Sequence, residues 1–298
     1  MLCDINLSWD GQAGLQVDQA LAEALNRFDL SAPRALTETP AARLWRVRAA
    51  DGSEQVLKLY RRGHAGNEAT GAAILAAWHA AGANVAQMRA WDDSAWVMDW
   101  LEGEPLGDIA RGGRVNEADL YLSRVAHDLH KATLPRMPDL PDLSDWFDAL
   151  FSLRYAPECP SDLRRDMTRA AHLADHLLAG PDKRPLHGDL HHDNVLVVPR
   201  RGFVTIDAKG VLGDHAYELA NAMRNPKGCG MALRDPDRQR LRRDVFARGL
   251  DINPKRFAGW AAAKCALSMA WTAQGMLAQS QEADLLAALL ELSEVTPD

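Results

Sequence analysis

His187-Gly188-Asp189-Leu190-His191-His192-Asp193-Asn194-Val195-Leu196 is the densest run of polar chemistry in the chain, and Asp207 follows it at the end of an apolar stretch. Residues 195–198 and 203–206 are short β-forming runs joined by Pro199-Arg200-Arg201-Gly202, which predicts a hairpin. Such a hairpin delivers Asp189, Asn194 and Asp207 around one bend. Phosphoryl transfer from a nucleotide needs a carboxylate to orient the attacking hydroxyl and oxygen ligands that hold magnesium against the phosphates. Asp189 reads as the base, with Asn194 and Asp207 as ligands of Mg2+.

The H-x-D-x-x-x-x-N spacing, with an aspartate on the next strand, is the arrangement of protein kinases and their small-molecule relatives. The amino-terminal half supplies complementary charge. Val17, Leu21, Ala24, Leu25 and Phe28 predict a leading amphipathic helix before Pro33. Residues 44–49 and 55–60 predict a hairpin turning at Asp51-Gly52, with Val56, Lys58 and Tyr60 on one face. A helix is expected from about 67 to 81, carrying Glu68 on the stripe of Ala72, Leu75 and Trp78. Taken alone, Lys58 reads as a snorkelling lysine and Glu68 as a carboxylate suited to a helix N-terminus. Beside the downstream motif they match the lysine and glutamate that pair to position the α- and β-phosphates. A glycine-rich phosphate loop is missing, because residues 37–44 contain no glycine and leave only backbone near Ala41 and Ala42.

A second hairpin is expected over 85–91 and 95–101, turning at Asp92-Asp93-Ser94. Beyond it the pattern becomes helical, with Asn116 and Asp119 as a capping box, Ser161 as a cap, Asn253-Pro254 opening a helix, and a last helix over 281–294. These readings divide the chain into a nucleotide-binding lobe, 1–98, and a catalytic and acceptor-binding lobe, 99–298. The expected fold is α+β, two-lobed and protein-kinase-like, with ATP or GTP bound in a cleft.

The chain has 298 residues, 47% hydrophobic and 25% charged, which is the balance of a folded globular protein. Its net charge of −7 argues against nucleic acid or anionic lipid as partners and favours a small cationic, hydroxyl-bearing substrate. Arg224 to Arg256 holds ten basic and four acidic residues without aromatic interleaving, and reads as a solvated helical face. Cys3, Cys159, Cys229 and Cys265 show no C-x-x-C spacing, so reduced thiols are expected rather than disulfides or zinc. No signal segment or membrane span is visible, which points to the cytoplasm, and the default oligomeric state is a monomer. His172 and His176 have zinc spacing but lack the accompanying glutamate, and read with His127 and His130 as surface histidines. A multi-histidine metal hydrolase is poorly supplied, since His215 is the only histidine after His192. Trp78, Trp260 and Trp271 fall on apolar helical stripes and Trp45, Trp91, Trp96 and Trp100 on strands, so all seven read as core.

The segment 187–196, the run Ile206-Asp-Ala-Lys-Gly-Val-Leu-Gly-Asp-His-Ala-Tyr-Glu-Leu-Ala220 and the stretch 250–271 resemble the aminoglycoside phosphotransferases. Lys209 in the Asp-x-Lys stretch draws the resemblance towards the streptomycin 6-kinase and hydroxyurea-kinase subgroup. Ala208 and His215 stand where that subgroup often has proline, and Glu218 where aspartate is frequent. The resemblance implies an ATP-dependent antibiotic-resistance phosphotransferase acting on a hydroxyl of an aminoglycoside such as streptomycin. It further implies a connector at residues 98–101, whose Asp99, Trp100 and Leu101 meet adenine, and an Asp214 that braces the magnesium loop. Asp139, Asp142, Asp145, Trp146 and Asp148 form an acidic and aromatic group suited to amino or guanidino substituents, unless they are simply solvated. Two further readings stay open: a metabolic kinase of the same fold acting on an amino alcohol or sugar, and a nucleotide-binding regulator without turnover.

Overall fold

The computed structural model describes residues 11–137 and 139–294. Among the described residues two compact units are present, residues 11–69 with 87–100, and residues 70–86 with those from 101 to 294.

The first unit is a five-stranded antiparallel sheet backed by a helix. Helix α1 (Gly11–Arg27) precedes β1 (Leu30–Glu38), β2 (Ala42–Ala49), β3 (Glu54–Tyr60), β4 (Met88–Trp91) and β5 (Ala95–Asp99), in the spatial order β1-β2-β3-β5-β4. Leu21 and Ala24 of α1 close over Val47, Leu57, Leu59, Ala95 and Val97. Strand β3 is central and buried from Gln55 to Tyr60, so alternation puts Leu57 and Leu59 under the helix and Lys58 on the opposite face. Gly52 takes φ +84° in the Asp51-Gly52 turn, as the sequence predicts. The β1 strand is absent from the sequence reading because Pro33 and a run of exposed residues break the alternation that marks a half-buried strand. As an edge strand it tolerates both.

The second unit is mostly helical. It comprises α2 (Gly71–Ala80), β6 (Glu104–Pro105), α3 (Leu106–Arg111), α4 (Val115–Lys131), α5 (Leu143–Phe151), β7 (Arg154–Tyr155), α6 (Ser161–Leu178), β8 (Arg184–Leu186), β9 (Val195–Val198), β10 (Gly202–Thr205), β11 (Val211–Gly213), α7 (Gly230–Arg234), α8 (Pro236–Leu250), α9 (Pro254–Ala273), β12 (Met276–Leu277) and α10 (Ala283–Glu294). Helix α9 is buried along almost its whole length, and its alanines and Gly259 let α5, α6, α8 and α10 approach closely. Asn253 caps it, accepting from the N–H groups of Lys255 (2.8 Å) and Arg256 (3.2 Å).

Two expected caps are different. Arg114, not Asn116, precedes α4, and Asp119 lies within that helix, buried in an ionic network. Ser161 is the first residue of α6, with Pro160 ahead of it. Glu68 sits in a short 3-10 turn before α2 rather than on the helix. Trp91 is 42% exposed and Trp45, Trp100 and Trp271 are half-buried, whereas Trp78, Trp96 and Trp260 belong to the core.

Candidate active site

The hairpin predicted from the sequence is β9–β10, antiparallel with Val195 opposite Thr205. Backbone hydrogen bonds weave the motif around its open end. Ile206 N–H donates to Asn194 O (2.9 Å), and the N–H groups of Lys209 and Gly210 donate to His187 O (2.9 and 3.1 Å). The buried His187 ring completes the tie. Its Nε2 meets Ile206 O at 2.9 Å and its Nδ1 accepts from Asp189 N–H at 3.2 Å, which assigns the proton to Nε2. Asn194 Nδ2 donates to Asp189 O (2.8 Å), and this fixes which way its amide oxygen points. The structure therefore brings the segments bearing Asp189, Asn194 and Asp207 together. Asp207 adopts φ +56°, a left-handed conformation that aspartate and asparagine tolerate better than most residues other than glycine, so the backbone turns sharply there.

Gly188 has φ +79°, and a Cβ there would meet Trp146 Cη2 at 2.9 Å and Val211 Cγ1 at 3.0 Å, so the residue before Asp189 must be glycine. Close packing also anchors the segment after Asp207. Thr70 Oγ1 donates to the carbonyls of Lys209 (3.1 Å) and Gly210 (2.7 Å), and a Cβ on Gly71 would fall 1.8 Å from Ala208 O.

The two oxygens of Asp189 are engaged differently. Oδ1 accepts from Asn221 Nδ2 at 2.7 Å, while Oδ2 faces Lys209 Nζ at 3.5 Å. Burial raises the carboxyl's proton affinity, but Lys209, His191 and Lys264 outweigh it and hold Asp189 well below the usual carboxylate range. Asp189 is ionised across the physiological range.

In the first unit Lys58 is 4% exposed, and its Nζ lies 2.7 Å from Glu68 Oε2. These two residues, ten apart in sequence, form the pair that the motif argument requires. Asp99 pairs with Arg89 (3.0 Å), its N–H donates to Gln87 O (3.1 Å), and Trp100 N–H donates to Glu54 O (3.0 Å). The N–H groups of Asp99 and Trp100 are therefore spent within the first unit. Leu101 is buried in the second unit. The β1–β2 turn, where a glycine loop is missing, is closed by Thr39, whose N–H and Oγ1 donate to Ala42 O and whose Oγ1 accepts from Ala42 N–H.

Residues 27–275 match the family described as aminoglycoside/hydroxyurea antibiotic resistance kinase. The chain belongs to that family. A streptomycin 3''-kinase from Klebsiella pneumoniae is 34% identical over 69% of this chain and 76% of its own length. A streptomycin 6-kinase from Streptomyces glaucescens is 29% identical over 88% and 85%. An amicoumacin kinase solved in complex with AMP-PNP, Ca2+ and Ami superposes with TM-score 0.64 at 15% identity, covering 97% of this chain and 95% of that one. The two-lobed, protein-kinase-like fold class and the activity of an ATP-dependent phosphotransferase follow.

This kinase holds several residues that sequence reasoning placed wrongly or passed over. His130 is not a surface histidine: it is 10% exposed, its Nε2 is 2.6 Å from Glu218, and its ring packs edge-on against His215 at 4.5 Å. Glu218 is fully enclosed and accepts the N–H groups of His187 (3.0 Å) and Gly188 (3.2 Å). Arg242, within the basic run, is 1% exposed and pairs with Asp119 while donating to the carbonyls of Ala222, Met223 and Asn225. The face is not simply solvated. Asp214 accepts from Trp260 Nε1 (2.7 Å) and Ala216 N–H (2.8 Å), and pairs with Arg256, bracing the following turn against α9. The acidic and aromatic group splits: Asp139, Asp145 and Asp148 are exposed, Asp142 caps α5 and pairs with Lys183, and Trp146 is buried beneath Gly188. Polar residues within the apolar run Tyr217-Glu218-Leu219-Ala220-Asn221 were the available signal for Glu218 and Asn221.

Among the described residues no helix is long and apolar enough to cross a membrane, and no group of three or more His, Cys, Asp or Glu side chains is arranged to hold a metal ion. Magnesium suits a different donor set, hard oxygens from one or two side chains with the rest from phosphates and water. Asn194, its amide nitrogen already spent on Asp189 O, presents that kind of oxygen, and Asp207 supplies a carboxylate on the adjoining segment.

Proposed function

We propose that this kinase transfers the γ-phosphoryl group of a magnesium nucleotide to a hydroxyl of a streptomycin-type aminoglycoside. The observation that carries the reading is the split engagement of Asp189, with Oδ1 fixed by Asn221 and Oδ2, which faces Lys209 at 3.5 Å, assigned to an acceptor hydroxyl. A carboxylate that stays ionised is a good orienting acceptor. Most of the proton transfer in such reactions comes late, as the phosphoryl group arrives, so strong basicity is not required.

Asn194 and Asp207 would hold Mg2+, which when bound neutralises phosphate charge. Lys58, steadied by Glu68 at 2.7 Å, is assigned to the α- and β-phosphates, and Asp99, Trp100 and Leu101 to the adenine side. The acceptor class rests on the names of the 3''- and 6-kinase relatives and on a chain charge of −7, which favours a cationic substrate. Cys159, Cys229 and Cys265 are free thiols, in keeping with a reducing cytoplasm.

The test is an acceptor panel of streptomycin, other aminoglycosides, choline and simple sugars, run with ATP and with GTP, with product masses measured. A streptomycin product heavier by one phosphoryl group is expected. Phosphorylation confined to choline or sugars would transfer the enzyme to metabolism, and nucleotide turnover independent of every acceptor would overturn the reading.

A further inference from the structure

Lys209 marks the subgroup in the sequence but has had no part in the chemistry, and its surroundings give it one. Its backbone N–H is tied to His187 O, so it is rooted in the same woven loop as Asp189. The side chain is 17% exposed and places Nζ 3.5 Å from Asp189 Oδ2. Nζ also lies over the Trp271 ring, 5.6 Å from its centroid, and that ring is shared with the buried Lys264 at 4.4 Å. Because Oδ1 of Asp189 is occupied by Asn221, Oδ2 is the oxygen left for an acceptor hydroxyl. A hydroxyl bound there shares Oδ2 with Lys209, and the phosphoryl group arriving at that hydroxyl comes within reach of the ammonium.

The balance of charge argues in the same direction. Asp189 is flanked by Lys209 and Lys264, while Arg224, whose Nη1 donates to Asn221 Oδ1 at 3.1 Å, is itself paired with Glu282. Burial lowers Lys264 to about 7 despite the attraction of Asp189. The β1–β2 turn contains Pro40 and no glycine, and its Thr39 and Ala42 N–H groups are spent within the turn. With those two N–H groups spent, a side-chain cation beside the acceptor oxygen can take up part of the charge that spreads over the equatorial oxygens of a transferring phosphoryl group.

We propose that Lys209 is a catalytic residue whose ammonium passes from Asp189 Oδ2 to an equatorial oxygen of the transferring γ-phosphoryl group. This rests on the kinase reading above. In the step, the acceptor oxygen bonds to the γ-phosphorus, and the bond to the β,γ-bridging oxygen breaks with its electron pair remaining on the nucleoside diphosphate. The hydroxyl proton goes to Asp189 Oδ2. Lys209 keeps its three protons and contributes charge alone.

The experiment compares wild type, Lys209→Ala and Lys209→Arg with ATP and with the γ-thio analogue of ATP. Lys209→Ala is expected to lower kcat by about 10²–10³, the usual loss for one oxyanion donor, with KM for ATP and acceptor little changed. Sulfur weakens the contact at that oxygen, so the wild-type preference for ATP over the thio analogue should shrink in Lys209→Ala and return in Lys209→Arg. Wild-type kcat in Lys209→Ala, a loss confined to acceptor KM, or an unchanged thio preference would each overturn the assignment while leaving the kinase reading intact. A wild-type enzyme that phosphorylates no acceptor would remove both.

Discussion

His130 Nε2 lies 2.6 Å from Glu218 Oε2, and both side chains are shielded from solvent. Through this contact α4 supports a carboxylate that in turn grips the backbone on which Asp189 is mounted. Glu218→Ala strips the partners from two buried N–H groups, at a cost of about 2–6 kcal/mol from ~1–3 kcal/mol for each orphaned donor. Urea unfolding should show the loss, and kcat should fall more than nucleotide affinity because the Asp189 loop loosens. His130→Ala, which leaves Glu218 in place, is expected to be milder on both measures.

Asp189→Asn keeps the shape of the side chain and removes its charge. Turnover should drop by about 10²–10⁴, the usual contribution of a positioned base. Equilibrium binding of ADP, followed by calorimetry, should stay within the wild-type range. Near-normal turnover in this variant would take the base role away from Asp189.

Asp207→Ala is expected to weaken nucleotide binding in the presence of magnesium while leaving metal-free binding unchanged. Titrations with and without the ion separate the two. Equal affinities in wild type and variant under both conditions would reject Asp207 as a ligand.

Protons bear on stability as well as on chemistry. Burial, reinforced by the neighbouring His130, lowers His215 from 6.5 to about 4, and burial also lowers His191 and His192. The unfolded chain binds these protons at a higher pH than the native protein does, so stability should fall as pH drops from 6.5 towards 4. Urea midpoints measured from pH 7.5 downward check the slope, and His215→Gln should flatten it.

Arg242 and Asp119 are 1% and 2% exposed in their side chains, and His192 Nε2 meets the same carboxylate at 2.9 Å. Arg242→Met breaks the pair and strands a buried charge, which typically costs about 3–5 kcal/mol. Thermal unfolding would report it. The double variant Arg242→Met with Asp119→Leu should recover part of the loss, since the stranded charge is then gone.

What could be read from the sequence was what lies close together along it. The motif 187–194 with Asp207, the β2–β3 and β9–β10 hairpins and the Lys58–Glu68 pair depend on short separations and on turn chemistry at Gly52 and Gly202. His130 with Glu218 and Asp119 with Arg242 join residues 88 and 123 positions apart, and no local pattern announces such partners. Asn116 and Ser161 carry the residue types of helix caps, yet the chain enters α4 and α6 at Arg114 and Pro160, because packing of Val115, Ala118 and Leu163 sets where each helix begins. The fold class was legible from the motif and the strand-then-helix order. The second layer of the site was not, because buried charge looks like surface charge until its partner is known.

The approach of Gly71 to Ala208 O has a bearing on how this enzyme can adapt. With room for only a hydrogen atom at position 71, the strand end behind Asp207 is seated against main chain, and even a methyl group would drive it outward. Substitutions that alter this enzyme are then expected at side chains away from that contact, because position 71 and the main chain at Ala208 must change together or not at all.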